Sequence, residues 1–87
     1  MSYKIEIHRS AFKKLQSIPT KEVKKIYMQI NHLMTEPIPK QSVKIKGEQN
    51  IYRLRIGNYR IVYEVKKLCL SVLVLIIDHR KNVYKQL

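Results

Sequence analysis

The sequence predicts an α+β fold, in which an N-terminal strand is followed by a helical hairpin packed on one face of a mainly antiparallel sheet of about four strands. The hydrophobic period is helical in the first half of the chain and becomes two after Pro39. Helices and strands occur in separate runs instead of alternating, as is typical of α+β proteins. The 87 residues fit one domain, assigned to 1–87, and the 45% hydrophobic content supports a packed core.

The first half of the chain contains a short strand and two helices. Residues 3–7 alternate apolar and polar side chains, which predicts a strand with one buried face. Ser10 is a candidate N-cap for a first helix that ends at Pro19, and Thr20 is a candidate N-cap for a second. The second helix has apolar residues at the i, i+3, i+4, i+7 spacing: Val23, Ile26, Tyr27, Ile30, Leu33 and Met34. This stripe predicts the face that packs on the sheet.

The second half of the chain has the pattern of strands joined by short turns. Residues 51–56 and 59–65 have a period of two and flank Gly57-Asn58, a dipeptide suited to a two-residue hairpin turn. Residues 68–77 are apolar on both faces, which predicts a central strand and a buried Cys69. Residues 78–87 are polar, which predicts an edge strand or a tail.

The hairpin places arginines together. A two-residue loop puts Arg55 directly opposite Arg60, on the face that also carries Arg53, whereas Leu54 and Ile61 face the helices. Opposed like charges destabilise a sheet unless an anion lies between them, and a guanidinium matches phosphate oxygens. The pairing predicts a phosphate site. The alternative is that these long side chains spread into solvent and serve only solubility.

The charge balance points to an anionic partner. The chain has 18 Lys+Arg against 6 Asp+Glu, a net charge of +12, which favours nucleic acid, an anionic membrane or an acidic protein. Lys44 and Lys46 extend the basic surface upstream of the hairpin. Residues 79–84 combine a possible proton carrier, His79, with a phosphate ligand and a phenol. Taken alone, this segment also fits a basic tail anchored by one tyrosine.

Several classes of site are excluded by residue counts. One cysteine rules out an internal disulfide and a Cys-rich zinc site. The few acids show no paired carboxylates and no metal cage, so we expect no cofactor and no metal. The apolar run is too short for a membrane helix, and the N-terminus lacks the pattern of a signal peptide, so we expect a cytoplasmic protein with no membrane partner.

Four short motifs occur in a specific order along nearly the whole chain. They are LQSIP at 15–19, KIKG at 44–47, YRLRIGNYRIVY at 52–63 and HRKNVY at 79–84. In this order the sequence resembles a small toxin of the RelE/ParE superfamily, from type II toxin–antitoxin modules. The resemblance implies a ribosome-dependent mRNA endonuclease that is inhibited by a cognate antitoxin, here expected to be acidic.

The resemblance also implies roles for individual residues. Arg60 matches the family's central arginine, Arg80 its C-terminal arginine and Tyr84 its C-terminal tyrosine. Where some members carry lysines, this chain has arginines, which cannot act as bases; His79 or Tyr84 then becomes the candidate for proton transfer. The implied catalytic set is Arg55, Arg60, His79, Arg80 and Tyr84, and the implied RNA-binding set is Lys44, Lys46, Arg53 and Lys81.

The implied reaction is attack of the RNA 2′-hydroxyl on the adjacent phosphate, without a metal. Two alternatives stay open. A ParE-like protein of the same fold would poison DNA gyrase and cut no RNA. A plain nucleic-acid-binding module would bind without cleavage, with an affinity that falls steeply as salt rises.

Overall fold

The protein folds as two helices on one face of a five-stranded sheet in the computed structural model, which describes residues 2–80. The elements are β1 (Lys4–Ile7), α1 (Arg9–Ser17), α2 (Thr20–His32), β2 (Val43–Lys44), β3 (Ile51–Ile56), β4 (Tyr59–Lys66) and β5 (Ser71–His79). The strand order is β1-β5-β4-β3-β2; β1 and β5 are parallel, and the other neighbours are antiparallel. The predicted α+β class is confirmed, and β2 is the strand that the sequence pattern did not reveal.

Both helices begin earlier than predicted: the N-cap of α1 lies two residues before the predicted cap and that of α2 one residue before it. The N-cap of α1 is His8, whose Nδ1 accepts from the backbone N–H of Ser10 at 3.2 Å. The prediction of Ser10 as N-cap is therefore wrong, because the His8 imidazole accepts the hydrogen bond that caps the helix. Thr20 is likewise the first residue of α2, not its cap, and Pro19 precedes it in an extended conformation. Among residues 2–80, no helix is long and apolar enough to cross a membrane.

The core lies between the helices and one face of the sheet. In α2 and the two residues after it, the side chains of Ile26, Ile30 and Leu33 are fully buried, whereas Tyr27 and Met34 remain substantially exposed, so the buried stripe is narrower than predicted. The sheet supplies the other half of the core: Leu54, Ile61, Tyr63, Val65, Val72, Val74 and Ile77. The opposite face of the sheet carries the predicted arginines.

The connection from β4 to β5 departs from the prediction. After Lys66 the chain makes one 3₁₀ turn, Lys67–Cys69, and reverses at Leu70, whose φ of +49° is left-handed. The central strand therefore starts at Ser71 and not at residue 68. Cys69 is exposed, so the prediction of a buried cysteine is wrong: apolar composition alone did not distinguish the turn from the strand.

The central strand also runs further than predicted and contains a β-bulge. It continues through Asp78 and His79, which we had expected in an edge strand or tail. Val62 pairs with Ile76 but Tyr63 pairs with Val74, so Leu75 is the extra residue. The bulge changes which residues of β5 face the helices from that point onward.

Candidate functional site

The β3–β4 hairpin has the predicted register. Arg55 pairs with Arg60 and Leu54 with Ile61 across the Gly57-Asn58 turn, where Gly57 has a φ of +58°. Because neighbouring residues of a strand point to opposite faces, burial of Leu54 and Ile61 under the helices turns the arginines to the other side. The predicted register is confirmed.

The arginine face contains a cavity of about 400 Å³. Its walls are formed by Gln41, Val43, Arg53, Arg55 and Arg60. Val43 belongs to the short strand β2 and pairs with Arg53, which explains how it reaches this face. Neither Gln41 nor Val43 was predicted, because Gln41 lies in a turn and the two-residue strand of Val43 is too short to show alternation.

Arg60 is the buried member of this cluster, with only 5% of its surface exposed. Its Nη1 donates to the carbonyl oxygens of Gly57 at 3.1 Å and of Tyr59 at 3.0 Å. Its cross-strand neighbour on β5 is Asp78, whose carboxylate forms the one ion pair between described residues 2–80, with Lys14 at 3.2 Å. A carboxylate already paired with Lys14 does not balance Arg55 and Arg60 together, and the arrangement therefore favours a further anion in the cavity.

Arg80 reaches the same turn from β5. Its backbone N–H donates to the carbonyl oxygen of Asn58 at 2.8 Å, and its side chain is exposed. The turn thus accepts one hydrogen bond from the Arg60 side chain, at Gly57, and another from the Arg80 backbone. The structure brings these two sequence-predicted residues to one end of the sheet.

His79 lies on the other face of the sheet. It pairs with Tyr59, and the two rings meet edge-on with centroids 5.8 Å apart. Tyr59 packs against the helix-covered core, whereas Arg60 points the opposite way. The structure therefore does not bring the His79 ring to the arginine cavity.

The remaining predicted residues do not line the cavity. Lys44 pairs with Tyr52 and so faces the helix side of the sheet, and Lys46 is exposed beyond the end of β2. Lys81 and Tyr84 lie outside the described residues. The acids are dispersed: residues 2–80 contain no group of three or more His, Cys, Asp or Glu side chains that could hold a metal ion.

One perturbed group lies near this region but belongs to the core. Burial raises the pKa of Tyr63 to about 12, and the nearby Ser42 hydroxyl opposes that shift without forming a hydrogen bond of good geometry. The ring stacks on Tyr52 with centroids 6.0 Å apart. Tyr63 stays neutral at physiological pH and contributes packing, not proton transfer.

Comparison with protein families identifies the relatives of this fold. Residues 5–84 match the family described as the ParE toxin of the type II toxin-antitoxin system, parDE. The chain belongs to the RelE/ParE superfamily of toxins. It is 34% identical over 88 aligned positions, 98% of each chain, to a curated protein of Methanocaldococcus jannaschii named "Putative toxin RelE1".

Solved structures of this superfamily have the same fold. The archaeal RelE–RelB complex of Pyrococcus horikoshii matches with a TM-score of 0.83 at 29% identity, covering 92% of this chain and 97% of that one. The RelB–RelE complex of Methanococcus jannaschii matches at 0.76 and 28% identity, covering 93% and 96%. The isolated E. coli RelE toxin matches at 0.81 but only 17% identity, covering 99% and 100%, which shows the fold alone.

Proposed function

We propose that this toxin is an endoribonuclease that cleaves mRNA on the ribosome and thereby inhibits translation. The observation that carries the proposal is the buried Arg60 guanidinium, which shares a cavity with Arg53 and Arg55 while its cross-strand carboxylate, Asp78, is ion-paired with Lys14. An RNA phosphate supplies the missing negative charge and fits the planar donors of a guanidinium. Because ribosomes occupy the cytoplasm, the toxin acts there.

The chemistry needs charge stabilisation above all. The 2′-oxygen forms a bond to the adjacent phosphorus while the bond from phosphorus to the 5′-oxygen breaks, which leaves a 2′,3′-cyclic phosphate and a 5′-hydroxyl. Negative charge grows on the non-bridging oxygens, where Arg55, Arg60 and Arg80 act as preorganised donors. The nucleophile belongs to the substrate itself, so this route uses no metal and only RNA can follow it.

The two proton transfers need groups other than arginine. One group takes the proton of the 2′-hydroxyl, and another protonates the departing 5′-oxygen. Arginine stays protonated, and the His79 ring packs on Tyr59 away from the cavity. Of the two candidates from the sequence, the proposal therefore retains Tyr84, which also offers an aromatic face on which a base stacks.

The basic side chains outside the cavity bind the RNA backbone. Lys44 and Lys46 are exposed, and with Arg53 and Lys81 they complete the proposed RNA-binding set. Contacts of this kind release counter-ions, so binding weakens steeply as salt rises.

The partner that restrains the toxin is an acidic cognate antitoxin. The similar structures from Pyrococcus horikoshii and Methanococcus jannaschii are complexes of RelE with RelB. A net charge of +12 favours rapid capture by an acidic protein. Co-expression with the product of the neighbouring gene tests this partner, because the pair should co-purify and growth should recover.

A second candidate function is poisoning of DNA gyrase without RNA cleavage. The match to a family described as ParE favours it. Gyrase poisoning does not require a phosphate at the buried Arg60, whereas RNA cleavage does. The nuclease and gyrase candidates therefore differ in whether Arg60 is needed for toxicity.

Mapping of 5′ ends on ribosome-bound mRNA after brief expression separates the two. The proposal expects new 5′-hydroxyl ends with the natural chain and none with a folded Arg60→Ala variant. Growth arrest without new RNA ends would overturn the nuclease and support the gyrase candidate.

A further inference from the structure

The connection between β4 and β5 exposes a leucine and the single cysteine of the chain. Leu68 is fully exposed at the tip of the 3₁₀ turn, and Cys69 beside it is also exposed. Both belong to the apolar run that the sequence pattern assigned to a buried strand. Leu68 is therefore the apolar side chain that a partner at this connection would contact.

These residues border a groove of about 400 Å³. Its lining consists of Asn50, Val65, Lys66, Lys67, Leu68 and Cys69. Val65 is fully buried, and its backbone N–H donates to the carbonyl oxygen of Asn50 at 2.8 Å, so this bond ties β4 to the residue just before β3 and fixes that side of the groove. The groove shares no lining residue with the arginine cavity, and Arg60 and Val65 are roughly 16 Å apart along β4 at the usual rise of a strand.

The charge around the groove selects its occupant. Lys66 and Lys67 line it, and Lys4 lies close by because its backbone N–H donates to the carbonyl oxygen of Leu70 at 2.8 Å. A second copy of a chain with a net charge of +12 would be repelled. RNA would gain little from Leu68, since backbone binding uses charge and not aliphatic contact. An acidic protein segment that carries an apolar side chain satisfies both features.

We propose that this groove docks an acidic segment of the antitoxin, with an apolar side chain against Leu68 and carboxylates at Lys66 and Lys67. The inference rests on the antitoxin partner proposed above and gives that partner a second anchor, remote from the arginine cavity.

The chain provides its own reporter for the test, because Cys69 is its single cysteine. The rate of Cys69 alkylation by N-ethylmaleimide is measured in the free toxin and in the purified toxin–antitoxin complex. A covered groove should slow alkylation by about tenfold or more, since the reaction requires access to the thiolate. A complex that forms while Cys69 reacts as fast as in the free chain would refute the groove but not the partner. Failure to form any complex would refute the partner itself.

A pair of matched variants tests the energetic role of the groove. Leu68→Glu and Met28→Glu each replace an exposed apolar side chain by a carboxylate, one at the groove and one on α2. Leu68→Glu should weaken antitoxin binding by about tenfold or more, as expected for an anchor residue, while Met28→Glu changes it little. Equal losses in both variants would show a general charge effect and overturn the proposal. RNA cleavage by free toxin should be the same in both.

Discussion

Replacement of Arg60 by alanine is the sharpest test of the proposed site. The guanidinium is 5% exposed, donates to the Gly57 and Tyr59 carbonyls, and lines the cavity. Loss of one preorganised donor to a charged transition state costs about 3–4 kcal/mol, which corresponds to roughly two to three decades in rate. We expect a fall of that size in the rate of RNA cleavage.

The stability of the variant should change much less than its rate. Two hydrogen bonds to carbonyls are lost, each with a net contribution of about 1 kcal/mol. Removal of the repulsion between Arg60 and Arg55 across the ladder, about 0.2–1 kcal/mol, offsets part of that loss, although the attraction to Asp78 on β5 is lost as well. The net change in the free energy of unfolding should stay within about 1–2 kcal/mol.

The assay is single-turnover cleavage of ribosome-bound message, with urea denaturation followed by circular dichroism to confirm folding. Arg60→Lys keeps the charge but loses the planar guanidinium that can donate two parallel hydrogen bonds to a phosphate, so its rate should be intermediate. Lys24→Ala removes an exposed cation from α2 and serves as the control. A folded Arg60→Ala protein that cleaves within about threefold of the natural rate would refute the assigned role.

Three further changes test other parts of the structure. Arg80→Ala should slow single-turnover cleavage by about two decades, and an unchanged rate would contradict its role. The free energy of unfolding should not change, because Arg80 binds the turn through its backbone N–H. His8→Ala should lower the free energy of unfolding by about 1 kcal/mol and His8→Asn by much less, and equal losses in urea denaturation would argue against the N-cap. Ionisation of Tyr63 needs a pH near 12 in the folded chain and near 10.0 in the unfolded one, so stability present below pH 10 is lost as pH rises toward 12. Tyr63→Phe has no group to ionise and should keep that stability, a difference of about 2–3 kcal/mol at most. If urea denaturation shows the same fall in the free energy of unfolding for both proteins between pH 10 and 12, ionisation of Tyr63 is not its cause.

The hairpin could be predicted completely because its determinants are local. A two-residue turn with glycine fixes the register, and a period of two assigns every side chain to a face. The placement of Arg55 opposite Arg60 follows from those two facts alone.

The face on which His79 lies depends on a feature that no pattern reveals. Val72 and Val74 face the helices, and unbroken alternation would put Ile76 and Asp78 there too and leave His79 with the arginines. The extra residue Leu75 reverses that assignment, so that Ile77 and His79 face the helices instead. Because His79 is next to Arg80 in the sequence, it was predicted to lie near the arginines, but the bulge places its ring on the opposite face of the sheet.

Strand order determines when this fold can be completed during synthesis. Strand β5, which lies between β1 and β4, is the last of the described strands to be made, and it is the neighbour of β1, the first. Until it emerges, β4 has an open edge and β1 has no partner, although the hairpin that carries Arg55 and Arg60 can already close. We expect ribosomes that stall before residue 71 to hold chains without a stable sheet. The cell would then encounter the folded toxin only from completed rounds of translation, the process that the toxin is proposed to stop.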